Sequence, residues 1–355
     1  MNAHSPLSAA SIRMADFGDS KDRQAISRFV AGHPDGSLFH TPDWIEAVEL
    51  GTGQRALGIV AEQGGAITGF LPLTEVHSPL FGRSLASSGF AVGGGVLAEQ
   101  GSIAVQLAEA AQELAQRLSC AAVELRGGPI PWHWQMKSDS HSGFVKELAD
   151  DDEAQLLAIP RKQRAEVRKG LTNDLLIEIG NAEADRAAHY AVYAESVRNL
   201  GTPVFPRSLF DAMLDRFGER ADILTVRHEG VAVASVLSFY HRGSVLPYWG
   251  GGTWDARRLR ANDRMYFELM LHARRRGCTH FDFGRSKTGS GPYNFKRNWG
   301  FEPEPLAYGT WCAPGAPRRD TDPTSASNAR KVELWKRLPL PVANRLGPLI
   351  ARGLG

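Results

Sequence analysis

The sequence predicts an α/β (α+β) protein made of two tandem domains, each with a mixed sheet flanked by helices. Three observations carry that expectation. The chain has 355 residues, 43% of them hydrophobic, which is enough for two cores of ordinary size. Its halves repeat one another at a nearly constant offset. Within each copy the apolar spacing passes from strand-like alternation to helical period and back, in the same order.

The elements follow from the residues. In the first half GIVAEQGGAITGFLPL alternates around Gly64 and Gly65, and in the second ILTVRHEGVAVASVLSFY does so around Glu229 and Gly230; both predict a hairpin. SSGFAVGGGVLAEQ and GSVLPYWGGGTWDA then each read as an apolar strand running into three glycines, at 93–95 and 250–252, an offset of 157. IAVQLAEAAQELAQRLS and RMYFELMLHARRRG follow at helical period and lead into the strands CAAVELRGG and CTHFDFGRS, with Cys120 and Cys278 offset by 158. The acidic run ELADDDEAQ and Pro160, which opens the helix RKQRAEVRKGL, place the boundary near 150. The expected organisation is a flexible start over 1–10, a first domain over 11–150, a second over 151–313, and a linker with a basic apolar tail over 314–355. Thr41-Pro42-Asp43-Trp44 reads as a capped helix start, with Thr41 as N-cap and Trp44 packing inward.

Composition excludes several classes. Lys and Arg number 41 against 39 Asp and Glu, so no global basic field draws a polyanion and any anion must meet a local patch. The start of the chain has no secretory pattern, and no run of about 18 apolar residues could cross a bilayer, so a cytoplasmic location is expected. Three scattered cysteines form no C-x-x-C pair; Cys120 and Cys278 read as buried thiols. The eleven histidines show no ligand spacing, and no metal site is expected. No G-x-x-x-x-G-K-[ST] or G-x-S-x-G occurs, which disfavours a P-loop nucleotidase and a serine acyl-enzyme.

The segment FDFGRSKTGSGPYNFKRNWGF, residues 281–301, carries the strongest chemical signal. It begins as a strand and continues as a glycine-rich, cationic, aromatic loop, in which Gly289 and Gly291 let backbone approach a ligand and Arg285, Lys287, Lys296 and Arg297 supply charge. Asp282, Ser286, Tyr293 and Phe295 lie in the same stretch, and Trp249 precedes the second glycine triplet. Arg161, Arg164 and Arg168 share one helix face, a stripe suited to phosphates or equally to solvent. RRLRANDR places Arg258, Arg260, Asn262, Asp263 and Arg264 at the start of the helix after the glycines, where unpaired N–H groups favour anions. The first half has only LAEQGS there, so a donor is expected on the second domain alone.

The order hairpin, strand, helix, diverging strand is similar to that of the acetyltransferase superfamily known as GNAT. LFHTPDWIEAV, PRKQRAEVRKG, LRANDRMYFELMLHARRRGCTHFDFG, NFKRNWGF and WKRLPLPVANRLGPLI together resemble the FemAB family over nearly the whole chain. In detail they resemble its XrtA/PEP-CTERM branch, associated with exopolysaccharide and protein-sorting loci. The resemblance implies two GNAT-like domains and transfer of an acyl or aminoacyl group, from acyl-CoA or charged tRNA, to an amine or hydroxyl of a cell-envelope or exopolysaccharide-related acceptor. No tightly bound cofactor and no DNA partner are implied. Its Phe-Lys pair falls on Phe295 and Lys296, the lysine polarising the carbonyl being transferred. Tyr293 and Arg285 would orient the reactants, and Asp282 or Asp263 would take a proton. A lipid-linked acceptor and peripheral membrane contact by the tail belong to the same expectation, with packing on the first domain as the tail's other role. Rival readings are a plain acyl-CoA N-acetyltransferase and a non-catalytic module that binds a polysaccharide precursor.

Overall fold

Two left-handed glycines, Gly64 at φ +60° and Gly65 at +81°, turn strand Arg55–Gln63 back onto Ala66–Ser78 in the computed structural model of the protein. Such φ values are the ones a tight hairpin needs and glycine alone adopts freely. The structure describes residues 10–79, 81–316 and 326–355; the expected flexible start lies outside them except for Ala10. The hairpin is the middle of an eight-stranded sheet in the order 11–14, 55–63, 66–78, 82–86, 122–126, 308–312, 135–137, with 97–98 paired onto 66–78. Helix Gly101–Arg117 buries Ile103, Leu107, Ala111 and Leu114, at helical spacing, against Leu57, Ile59, Leu71 and Leu73 of one sheet face. Gly69 admits that helix, since a Cβ there would lie 2.7 Å from Ile103 Cγ2. On the other face Ile26, Val30 and Ile45 of helices Ser20–Gly32 and Pro42–Thr52 meet Val60 and Phe70. Thr41 caps the second of these helices, its Oγ1 accepting from Trp44 N, and Trp44 is fully buried.

The second unit repeats the order. Strand Ala221–His228 turns through Glu229 and Gly230, both left-handed, into Val231–His241, and Arg242 and Gly243 turn that into Ser244–Gly252. Helix Ala261–Arg275 packs Met265, Leu269 and Met270 on this sheet, and strand His280–Asp282 returns parallel to 244–252. The sheet order is 176–180, 221–228, 231–241, 244–252, 280–282, 145–147, and a small third sheet joins 286–287, 141–143 and 304–305. Cys120 and Cys278 are buried free thiols. Each unit is thus a mixed sheet flanked by helices, in one shared order of elements.

Four details differ from the sequence reading. The first glycine triplet does not end a strand: the strand is Gly82–Ala86, and Ser88 (φ 49°) and Phe90 (φ 61°) lead the chain out of the sheet before Gly93. Gly95 then lies so close to Gly127 that a Cβ would collide with its carbonyl. The second triplet lies within the strand rather than in a turn.

The division of the chain is also not at 150. One unit is drawn from Met1–Ser138, Ala307–Asp320 and Arg352–Gly355, the other from Asp139–Leu306 and Thr321–Ala351. Strand Tyr308–Cys312 pairs with Ala122–Arg126 in the first sheet, and strand Val145–Glu147 pairs with His280–Asp282 in the second. Finally, the tail is helical. Ala326–Lys336 and Leu340–Ala351 both pack on helix Glu183–Leu200 of the second unit and are separated at Pro339, while the last residues, Arg352–Gly355, belong to the first unit, where Gln54 Nε2 donates to Arg352 O and Arg126 Nη2 to Gly355 O. The expected linker falls largely outside the described residues.

Candidate functional site

In the second unit the parallel strands 244–252 and 280–282 are in register only at Ser244–His280 and Val245–Phe281. Beyond that point strand 244–252 continues on strand 231–241 as far as Gly252, while the chain after Asp282 leaves the ladder. An opening between them begins there. The start of helix Ala261–Arg275 lies against the end of strand 244–252, Asn262 beside Gly252 and Tyr266 beside Gly250, and Phe283 and Phe295 of the segment 283–299 pack on the same Tyr266.

That segment is not the loop its glycines suggest. Ser290 Oγ accepts from Tyr293 N and Pro292 sits in the first turn of a helix, Gly291–Asn298. Both are helix-start signals that were legible in S-G-P. The helix directs Phe295, Lys296 and Trp299 inward, the last pair three residues apart.

Lys296 is 9% exposed. Its ammonium donates to the carbonyl oxygens of Arg285 (2.8 Å) and Gly284 (3.2 Å). It lies 5.4 Å from the ring centre of Phe144 and 5.6 Å from that of Phe283. Burial lowers its pKa to about 7; nearby Asp282 opposes that shift and Arg285 adds to it. Asp282 is shifted upward by desolvation, against the pull of the Gly284 N–H that it accepts and of Lys296. A carboxyl at the strand end and a lysine held on the two carbonyls that follow it are therefore both moved toward neutrality, as at sites that move protons.

Tyr293 is half-buried edge-on to Phe144, with ring centres 5.4 Å apart, and Phe295 packs on Tyr266 and Phe283. Ser286 Oγ is buried with no hydrogen-bond partner among the described residues, and so is Asn262 Oδ1 beside Gly252. The structure therefore brings Asp282, Arg285, Ser286, Tyr293, Phe295 and Lys296 together on one turn and helix, with Lys287 next to Ser286 in the strand.

The expected cationic cradle is less open than its composition suggests. Arg258 pairs with Asp255 at 3.1 Å, Arg260 with Glu166 at 2.8 Å, and Arg264 with Glu268 at 2.9 Å. Arg260 is the residue before the helix and has a left-handed backbone, φ 53°. Asp263 accepts from Gln163 at 2.6 Å, and burial raises its pKa. Of the stripe on helix Arg161–Thr172, Arg164 is turned onto the carbonyls of Leu157 and Ile159 at the end of the preceding helix, while Arg161 and Arg168 are exposed. Trp249, expected to touch substrate, is a core residue: it is 4% exposed and edge-on to Phe210 at 5.0 Å.

Two residues at this opening were missed in the sequence. Exposed Trp254 follows the glycines, with the Arg257 guanidinium 4.5 Å from its ring centre and its backbone N–H donated to Glu195 Oε1. Ser196 stands where a Cβ on Gly251 would be, which explains that glycine as room for helix Glu183–Leu200. Neither residue belongs to a run that singles it out.

Residues 160–297 match the family model of the acetyltransferase (GNAT) domain. The second unit carries a GNAT acetyltransferase domain. The GNAT match spans the opening, the helix after it and Lys296, and the activity class that accompanies the domain is acyl-group transfer. No curated protein matches the chain.

Among solved structures the chain is similar to FemX, at 15% identity and a TM-score of 0.64, covering 89% of this chain and 98% of that one. It is similar to a tandem GNAT protein from the clavulanic acid biosynthesis pathway, at 12% identity and a TM-score of 0.56, covering 87% and 100%. It is also similar to N-myristoyltransferase of Saccharomyces cerevisiae solved with myristoyl-CoA, at 10% identity and a TM-score of 0.55, covering 87% and 80%. At these identities the likeness is one of fold, and the fold shared is the tandem GNAT arrangement. Among the described residues no group of His, Cys, Asp and Glu could hold a metal ion, and no helix is long and apolar enough to cross a membrane.

Proposed function

We propose that the GNAT domain transfers an acyl or aminoacyl group from a phosphate-bearing donor to an amine or hydroxyl of a cell-envelope or exopolysaccharide-related acceptor. The observation that carries this reading is Lys296, an ammonium fixed by two carbonyl oxygens beside the opening between the two parallel strands. A lysine has three donors, and two are in use here. In the proposed step the acceptor nitrogen or oxygen attacks the donor carbonyl, and the third Lys296 donor meets the oxyanion that forms. The acceptor proton passes to Asp282, whose proton affinity burial raises above that of a free carboxylate, and the carbon–sulfur or carbon–oxygen bond to the carrier then breaks. Tyr293 and Arg285 position the reactants. The free N–H groups at the N-terminus of helix Ala261–Arg275 and the side-chain NH2 of Asn262 face the donor's phosphates, with Arg258 and Arg260 released in part from Asp255 and Glu166.

Acyl-CoA is the donor that the GNAT match favours, as in a plain N-acetyltransferase. Charged tRNA and membership of the exopolysaccharide-associated branch rest on the sequence motifs alone. The test is to titrate the purified protein with CoA by calorimetry and, separately, to follow transfer from acyl-CoA and from charged tRNA by mass spectrometry of envelope and polysaccharide extracts. A mass added from either donor, and absent with Lys296→Ala, supports the reading. Ligand binding without any turnover would leave a binding module instead.

A further inference from the structure

The tail is amphipathic in a way that packing within its unit does not account for. Helix Leu340–Ala351 buries one stripe, Ala343, Gly347 and Ala351, at spacings of four. Gly347 is the point of closest approach, since a Cβ there would lie 3.0 Å from Val204 Cγ1 and from Val204 N. A second stripe, next to Arg345, is apolar and open: Val342 is 42% exposed, Leu346 42% and Leu349 57%. Leu334 of the preceding helix is 67% exposed.

The charges around this stripe have one sign. From Leu334 to the last residue the sequence has Lys336, Arg337, Arg345 and Arg352 and no Asp or Glu. Glu333 is the last acid, and its carboxylate already pairs with Lys336. Arg337 and Arg345 are exposed. A helix whose buried face is small residues, whose free face is aliphatic and whose rim is cationic matches the interface of an anionic bilayer, where side chains enter the acyl boundary and arginines meet phosphate headgroups. A protein partner would need acids set opposite the arginines, and the helix Glu183–Leu200 beneath contacts the other face.

We infer that Leu340–Ala351 is a membrane-surface anchor that lies on anionic phospholipid through Val342, Leu346 and Leu349. The sequence offers two roles for the tail: its last residues pack on the first unit, and the exposed apolar stripe of Leu340–Ala351 is left for the membrane surface. The inference does not rest on the acyl-transfer reading. The prolines do not prevent it, because Pro341 stands in the first turn of the helix and Pro348 is accommodated within it.

Flotation of the full chain with vesicles of phosphatidylcholine, with and without phosphatidylglycerol, tests the assignment. The protein is expected to float with anionic vesicles at low salt, to be released as ionic strength rises, and to remain behind with phosphatidylcholine alone. Leu346→Glu with Leu349→Glu is expected to cut the bound fraction by about tenfold or more with unchanged thermal melting, since both side chains are exposed. Arg345→Glu should weaken binding and its salt dependence together. Failure to float on anionic vesicles, or equal flotation of the double variant, overturns the anchor. Concentration-dependent self-association in sedimentation, lost in the double variant, would assign the stripe to a second copy of the chain and overturn it equally.

Discussion

The two units share one plan, and they treat the gap behind their parallel strands in opposite ways. In the first unit strands 82–86 and 122–126 are in register at only two positions, like their counterparts. There the chain itself closes the gap. Ser87 N donates to Glu124 O, Arg126 N donates to Ser87 Oγ, and the Arg126 guanidinium reaches Ala91 O and Gly355 O. Gly95 and Gly127 press backbone on backbone. In the second unit the strand keeps its ladder to Gly252, and Asn262 Oδ1 and Ser286 Oγ stay buried with no hydrogen-bond partner among the described residues. A duplicated fold can spend the same gap on stability in one copy and keep polar groups around it in the other.

Lys296 should give the largest effect. Lys296→Ala is expected to lower kcat by about 100- to 1000-fold, the cost of one oxyanion donor. The variant also reads out on stability. The folded lysine titrates near 7 and the unfolded one near 10.5, so between those values the unfolded chain holds more protons and stability rises with pH. Denaturation at pH 7 and pH 9 should show a rise of at most about 1.4 kcal/mol per unit, absent in Lys296→Met. Activity should fall over the same range, because the ammonium is the donor. A flat stability profile in the parent protein would remove the buried cation from the argument.

Arg126 tests the closed copy. Its guanidinium is buried and hydrogen-bonded to Ala91 O, Gly355 O and Glu124, so Arg126→Ala should cost about 2–4 kcal/mol by urea denaturation. Donor KM should stay where it was; a changed KM would bring the first unit into donor binding. The smallest effect is expected at the rim of the open copy. Arg258→Ala with Arg260→Ala should raise donor KM by about three- to tenfold with little change in kcat, since Asp255 and Glu166 already hold these arginines and phosphate contacts act on ground and transition state alike.

The repeat, the hairpins and the helices were legible because each has a long period and a turn residue that only one conformation explains. Glu268, four residues after Arg264, was also readable as a partner; Glu166 was not, because Arg260 lies almost a hundred residues away along the chain. The helix Gly291–Asn298 was obscured by its own glycines, although Ser290 and Pro292 announce it. Lys296 could be placed in the site from the motif but not found buried, since beside Phe283 of its own segment the burial came from Phe144, far away along the chain. The strands QMK, VKE and YGTWC are too short to show alternation, and so the exchange of strands between the halves left no trace in the pattern.

That exchange sets a clock. The first sheet has strand Ala122–Arg126 early in synthesis, but its neighbour Tyr308–Cys312 emerges only after a further stretch of about half the length of the chain has been made. At 5–20 residues per second the open edge would wait on the order of 10–40 s on the ribosome. A nascent strand edge of that kind is what chaperones cover, and the first half cut at residue 150 would keep it permanently. Expressed alone, that half should collect in aggregates, however complete its own repeat looks.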